Sequence, residues 1–185
     1  KYMDGHGSGV GGCIVDSGKF DWTKYPDKFP GLCTPDDSYH GLVYSTLGEK
    51  AFGTKCRVQM MRDLGAIMSP QNAFLTNLGM ETLALRMERH CENALKVATY
   101  LKNSDLVSWV SYPGLEGDEQ YEIAQKYMPK GTCGVVSFGV KGGREAAGTF
   151  MAALKLAAIE THVADSRTCC LHPASATHRQ MTDEQ

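Results

Sequence analysis

Apolar residues recur at helical spacing over the longest ordered stretch of this chain. From Ser69-Pro70, a capping side chain followed by the residue best tolerated in a first turn, the pattern predicts helix as far as Asn103. Met80, Leu83, Met87, Cys91, Ala94, Ala98 and Leu101 fall at three- and four-residue intervals and form one stripe. Gly79 interrupts it, so a kink or a helix boundary is expected there. Upstream, Val10, Ile14 and Val15 read as a short buried strand over residues 10–16. Residues 19–47 carry Pro26, Pro30 and Pro35 and are expected to run irregularly over the surface or against a partner subunit. A helix is expected over 49–63, with Phe52, Cys56, Val58 and Met61 on its apolar side.

Downstream of Asn103 the texture changes to short alternating elements. Strands are predicted around Val107–Tyr112, Gly131–Val140 and 168–171, with a short helix over 117–127. Gly142-Gly143 opens a further helix expected to reach Glu160, with Ala147, Phe150, Met151, Leu154 and Ala158 inward. Strands separated by helices packed on one side make an α+β lobe or part of an α/β fold.

Composition narrows the function classes. At 185 residues the chain can bury one core or two small lobes, and a net charge of −2 argues against a protein built to neutralise nucleic-acid phosphates. No run approaches the ~18 apolar residues needed to span a bilayer, so the protein is expected in the cytoplasm, with neither nucleic acid nor membrane as a partner. Seven cysteines without a C-x-x-C pair predict neither a disulfide nor a zinc framework. His172, His178, Asp165 and Cys170 follow no ligand spacing, and no metal site is expected.

Chemistry concentrates at the first residues. Lys1-Tyr2-Met3-Asp4-Gly5-His6-Gly7 places an amine before a glycine-rich turn, the setting of a lysine that condenses with a carbonyl cofactor, most often pyridoxal phosphate. Glycines let the backbone take positive φ and come close to a bound group.

These residues also resemble the lysine motif of the Cys/Met-metabolism PLP-dependent enzymes, in which K-Y-x-x-G-H-G begins at the cofactor lysine. The likeness continues through Ser69-Pro70, Phe74-Leu75, Gly79, Thr82-Leu83 and Arg86-Met87, through Val110 with Tyr112-Pro113-Gly114-Leu115, and through Thr161 to Ser175, ending in His172-Pro173-Ala174-Ser175. Thr177-His178-Arg179-Gln180 continues in the style of the O-acetylhomoserine sulfhydrylase branch. Asn77 and Ala176 depart from the pattern.

The resemblance implies a fold type I, aspartate aminotransferase-like α/β fold. Residues 1–78 would end the large PLP-binding domain and residues 79–185 would form most of a small C-terminal α+β domain. It implies a γ-replacement on O-acetyl-L-homoserine by sulfide, giving homocysteine and acetate in methionine and cysteine metabolism, in a homo-oligomeric dimer of dimers. Lys1 would be the catalytic and cofactor-binding residue, and Tyr2 and His162 would stand near the substrate. His6 is expected to hold the turn, Arg167 to form an ion pair, and His172 to be a packed, hydrogen-bonded residue. Alternatives are a cystathionine γ-synthase or methionine γ-lyase-like activity, or a non-catalytic segment that associates through its helical stripe. Because the chain starts on the lysine and stops before the family's carboxylate-binding arginine, it resembles a part of a longer polypeptide, and alone it is expected to be inactive.

Overall fold

The structure, a computed structural model, describes residues 1–182; the last three positions of the expected small domain, 183–185, lie outside the described residues. The chain divides into two compact units, one of residues 10–70 and one of residues 1–9 with 71–185.

In the unit of residues 10–70 no strand forms at 10–16. Val10, Ile14 and Val15 are 81%, 77% and 90% exposed, which corrects the expected buried strand. Apolar content does not suffice for a strand, because its backbone N–H and C=O groups need a paired neighbour. The one ladder contact among the described residues of this unit is an isolated bridge between Asp36 and Leu42. Residues 19–47 are a series of short turns around helix α1 (Pro30–Cys33), as the prolines require. Phe20, Trp22 and Phe29 pack edge to face, with centroids 4.7 and 5.1 Å from Trp22, and Phe52 stacks on Trp22 at 5.8 Å. The expected helix is present as α2 (Ala51–Lys55), a π-helical stretch over Cys56–Met61, and α3 (Arg62–Leu64), which ends at Gly65 with φ of 66°. Buried Leu32, Tyr44 and Ala51 form its interior. The Lys55 ammonium lies 4.6 Å above the Tyr44 ring and 3.3 Å from Asp36 Oδ2.

In the other unit, α4 (Pro70–Glu81) begins at the predicted proline and α5 (Leu83–Lys102) ends beside the predicted asparagine. They break at Thr82, whose φ of −107° and ψ of 5° leave the helical region, as expected for the neighbourhood of Gly79. The break splits the stripe. Ala94 and Ala98 are buried and Leu83, Met87, Cys91 and Leu101 half-buried, whereas Met80, before the break, is 48% exposed. The core joins Ala94 and Ala98 to Tyr112 and Leu115. The Tyr112 hydroxyl lies 2.9 Å from the Cys133 carbonyl and 3.3 Å from that of Cys91.

Strand β1 (Val107–Ser111) leads through α6 (Tyr121–Tyr127) to β2 (Ser137–Val140), and β1 and β2 pair antiparallel with a bulge at Val107/Trp109. Helix α7 (Gly143–Ala153) starts at the glycine pair but stops at Ala153, seven residues short of Glu160. The helix-favouring sequence beyond it yields to pairing: β3 (Ala158–Ile159) lies parallel to β4 (Cys169–Cys170), and that contact overrides intrinsic propensity. Ala158 is accordingly exposed rather than inward. No helix of the described residues is long and apolar enough to cross a membrane.

Candidate functional site

Residues 1–8 form a closed turn built around Gly5. The Gly5 N–H donates to the Lys1 carbonyl at 3.0 Å, and Gly5 and Gly7 adopt φ of 71° and 64°, a region that residues with a Cβ rarely enter. Asp4 stitches the far side. Its carboxylate accepts from the Ser8 hydroxyl at 2.7 Å, the Ser8 N–H at 2.9 Å and the His6 N–H at 3.3 Å, and these bonds, led by the Ser8 hydroxyl, lower its pKa. His6 Nδ1 returns to the Asp4 carbonyl at 2.8 Å, so His6 holds the turn as the sequence predicts.

The turn rests on the junction of α4 and α5. Gly79 is the one buried residue of α4, and a methyl placed on it would lie 2.2 Å from the Asp4 carbonyl oxygen. Arg86, one turn into α5, spans the junction. Its Nη1 donates to the Tyr2 carbonyl at 2.9 Å, its Nη2 to the Gly79 carbonyl at 2.6 Å, and its Nε to the Thr82 hydroxyl at 3.1 Å. The Gly79 carbonyl, in the last turn of α4, accepts the Thr82 N–H and hydroxyl only at 3.4 Å each, and the guanidinium at 2.6 Å is its close partner. Tyr2 fixes the turn at a third point: its hydroxyl accepts the Gly134 N–H at 2.7 Å, and its ring lies 5.4 Å from that of His90. Burial pushes the Tyr2 phenol above its ordinary pKa, so it keeps its proton.

A second support comes from residues 162–167. The Ser166 N–H donates to the Gly5 carbonyl at 2.8 Å. Asp165, buried, accepts from Arg167 in a forked pair at 3.0 Å on each oxygen and from the Arg167 N–H at 2.8 Å. Those hydrogen bonds hold its carboxyl well below the usual carboxylate range. His162 Nε2 stands 3.4 Å from Asp165 Oδ2, and a methyl on Gly7 would collide with the same imidazole. Ala164, between them, takes a φ of 69°, strained for a residue with a side chain.

The structure thus gathers Lys1, Tyr2 and His162 around one turn. Arg167 makes the expected ion pair, and His172 the expected hydrogen bond, its Nδ1 2.9 Å from Ser175 Oγ. Sequence reasoning passed over two residues. Arg86 stood only as a motif position, and Asp165 only as a motif position and a rejected metal ligand; the Arg86 contact, reaching 84 residues along the chain, leaves no local signal. Lys1 itself is exposed. It opens a turn whose backbone is held by the Gly5, Arg86 and Ser166 contacts above.

Comparison with known proteins places the chain in a family. The chain is 46% identical over 186 residues to the homocysteine synthase of Schizosaccharomyces pombe, covering 100% of this chain and 43% of that protein. It is 45% identical over 183 residues to the O-acetyl-L-homoserine sulfhydrylase of Corynebacterium glutamicum, covering 97% and 42%. The crystal structure of a putative O-acetylhomoserine (thiol)-lyase from Campylobacter jejuni, which carries N'-pyridoxyl-lysine-5'-monophosphate, superposes with a TM-score of 0.84 at 36% identity, over 100% of this chain and 44% of that one. Cystathionine gamma synthase from Xanthomonas oryzae gives 0.74 at 28%, over 100% and 39%. The mixed helix and sheet seen here therefore has its counterpart in fold type I enzymes, and the chain spans less than half the length of these relatives. With the family model matched over residues 1–185 and the lysine turn seated as described, the chain belongs to the Cys/Met metabolism PLP-dependent enzymes.

Proposed function

We propose that the intact protein replaces the acetyl-bearing γ substituent of O-acetyl-L-homoserine with sulfide, yielding homocysteine and acetate, and that Lys1 is its cofactor lysine. The observation that carries this reading is identity of 45–46% to a homocysteine synthase and an O-acetyl-L-homoserine sulfhydrylase over essentially the whole chain, the lysine turn included. Bound PLP would supply a ring that draws electrons from the substrate Cα and so makes the Cα proton acidic. Lys1 Nζ would hold the cofactor and, when free, accept that proton and carry a second one from Cβ while acetate leaves Cγ. An arginine could not do this, because guanidinium stays protonated. The Tyr2 hydroxyl, already accepting from Gly134, retains its proton for donation toward the substrate. His162, braced by Asp165, would face the substrate carboxylate.

In the intact protein residues 1–78 would end the large domain and residues 79–185 form most of the small one. A homo-oligomeric, dimer-of-dimers enzyme in the cytoplasm completes the reading; exposed Trp109, Tyr100 and Leu106 supply apolar surface for assembly. Purified intact protein given PLP, O-acetyl-L-homoserine and sulfide should release homocysteine and acetate, and Lys1→Ala should abolish turnover while leaving the fold. Exclusive use of cysteine, giving cystathionine, would move the protein to the γ-synthases. Breakdown of substrate without sulfide, releasing ammonia, would move it to the γ-lyases.

A further inference from the structure

Gly79 and Arg86 together make a notch that holds the backbone of the lysine turn. Gly79 removes a side chain where the Met3 and Asp4 carbonyls pass, within 2.6 and 2.2 Å of where its Cβ would stand. Arg86 then joins the turn to the helix break: one guanidinium bonds the Tyr2 carbonyl and the Gly79 carbonyl, while its Nε reaches Thr82. A lysine in its place could not do this. An ammonium is a point donor on a flexible stem, whereas guanidinium presents planar donors that bridge acceptors in fixed directions. The Lys1 Cα shares a rigid peptide plane with the Lys1 carbonyl, which the Gly5 N–H holds at 3.0 Å, and that plane meets the arginine-held Tyr2 carbonyl at the Tyr2 Cα, so only the two backbone torsions of Tyr2 separate the Arg86 contact from the plane that carries Lys1.

We propose that the Gly79–Arg86 notch is a positioning device for Lys1: it fixes the backbone from which the amine projects, and Arg86 is a positioning residue of the reaction without touching substrate. The inference rests on Lys1 being the cofactor lysine. It differs from a purely structural role in what it predicts for the turn. A structural arginine would, when replaced, loosen α5 and the core around Ala98 together with the turn; a positioning arginine frees the turn alone.

The test uses intact protein, wild type against Arg86→Lys and Arg86→Ala, with hydrogen exchange followed by residue in protein stripped of PLP. The Gly5 amide, bonded to the Lys1 carbonyl, should exchange about tenfold faster or more in both variants, while the amides of Ala94 and Ala98 keep wild-type rates. With PLP restored, kcat should fall about tenfold to a hundredfold with KM within about twofold, the pattern of a displaced reacting group. Arg86→Lys, which keeps the charge but not the fork, should behave like Arg86→Ala. Unchanged exchange at Gly5, acceleration shared equally by the α5 core, or full rescue by lysine would each overturn the inference. Should wild type itself show no PLP attached to Lys1, the functional reading falls, and the exchange result still decides the geometry.

Discussion

Helices α4 and α5 are consecutive and opposite in use. Along α5 the three- and four-residue spacing is translated into burial, with Ala94 and Ala98 packed on Tyr112 and Leu115. Along α4 the apolar side chains Phe74 and Leu78 are exposed and the single buried residue is Gly79, the one without a side chain. The difference teaches that α5 supplies the core, whereas α4 supplies a surface of backbone on which the lysine turn lies. Packing in the first is side chain against side chain; in the second it is carbonyl against Cα.

That contrast breaks most readily at Gly79. Gly79→Ala should gain about 1 kcal/mol in helix propensity, yet a methyl 2.2 Å from a backbone oxygen must displace the turn, so overpacking of about 1–3 kcal/mol outweighs the gain. The expected outcome is a turnover loss of about a hundredfold in intact protein with only a small fall in melting midpoint, read by steady-state kinetics and calorimetry. In α5 the balance reverses: Ala98→Leu should cost about 1–3 kcal/mol of stability in denaturant titration while the Gly5 amide keeps its relative protection.

Smaller effects sharpen the comparison. Tyr112→Phe removes the hydroxyl bonded to the Cys133 carbonyl and should cost about 1–2 kcal/mol in denaturant midpoint, with substrate affinity unchanged. Tyr2→Phe leaves the Gly134 N–H without its acceptor and should cost about 1 kcal/mol, but with a fall in turnover that Tyr112→Phe lacks.

The smallest effect is on pH. Asp165 has its pKa depressed by Arg167, so the stability it lends is fully present above the unfolded carboxylate value near ~3.9 and is lost only as pH falls through the lower folded value. The 162–167 segment should therefore keep its amide protection between about pH 8 and 5; loss of the Ser166 amide's protection in that window would mean that Asp165 does not hold the loop.

Local interactions leave a pattern in the amino-acid sequence, and contacts between distant residues do not. Ser69-Pro70, the α5 stripe, β1 and the glycine pair before α7 are local signals, and each element forms where its residues say, whereas the strand expected over 131–140 forms only as β2 at Ser137–Val140. The strand read at 10–16 and the long reading of α7 failed because pairing is decided by a partner strand: none is paired to 10–16 among the described residues, whereas Cys169–Cys170, eleven positions on, pairs with Ala158–Ile159. Lys1, Tyr2, Gly79 and His162 were visible as motif positions. That Gly79 faces Asp4, or that Arg86 reaches Tyr2, depends on three-dimensional juxtaposition with no sequence period.

The central claim, that this turn presents the cofactor lysine, is tested most directly by borohydride reduction of PLP-loaded intact protein followed by peptide mass mapping. The account predicts the pyridoxyl group on Lys1, in the peptide that carries Tyr2 and Gly5-His6-Gly7. A pyridoxyl group on any other lysine, with Lys1 unmodified, would contradict it.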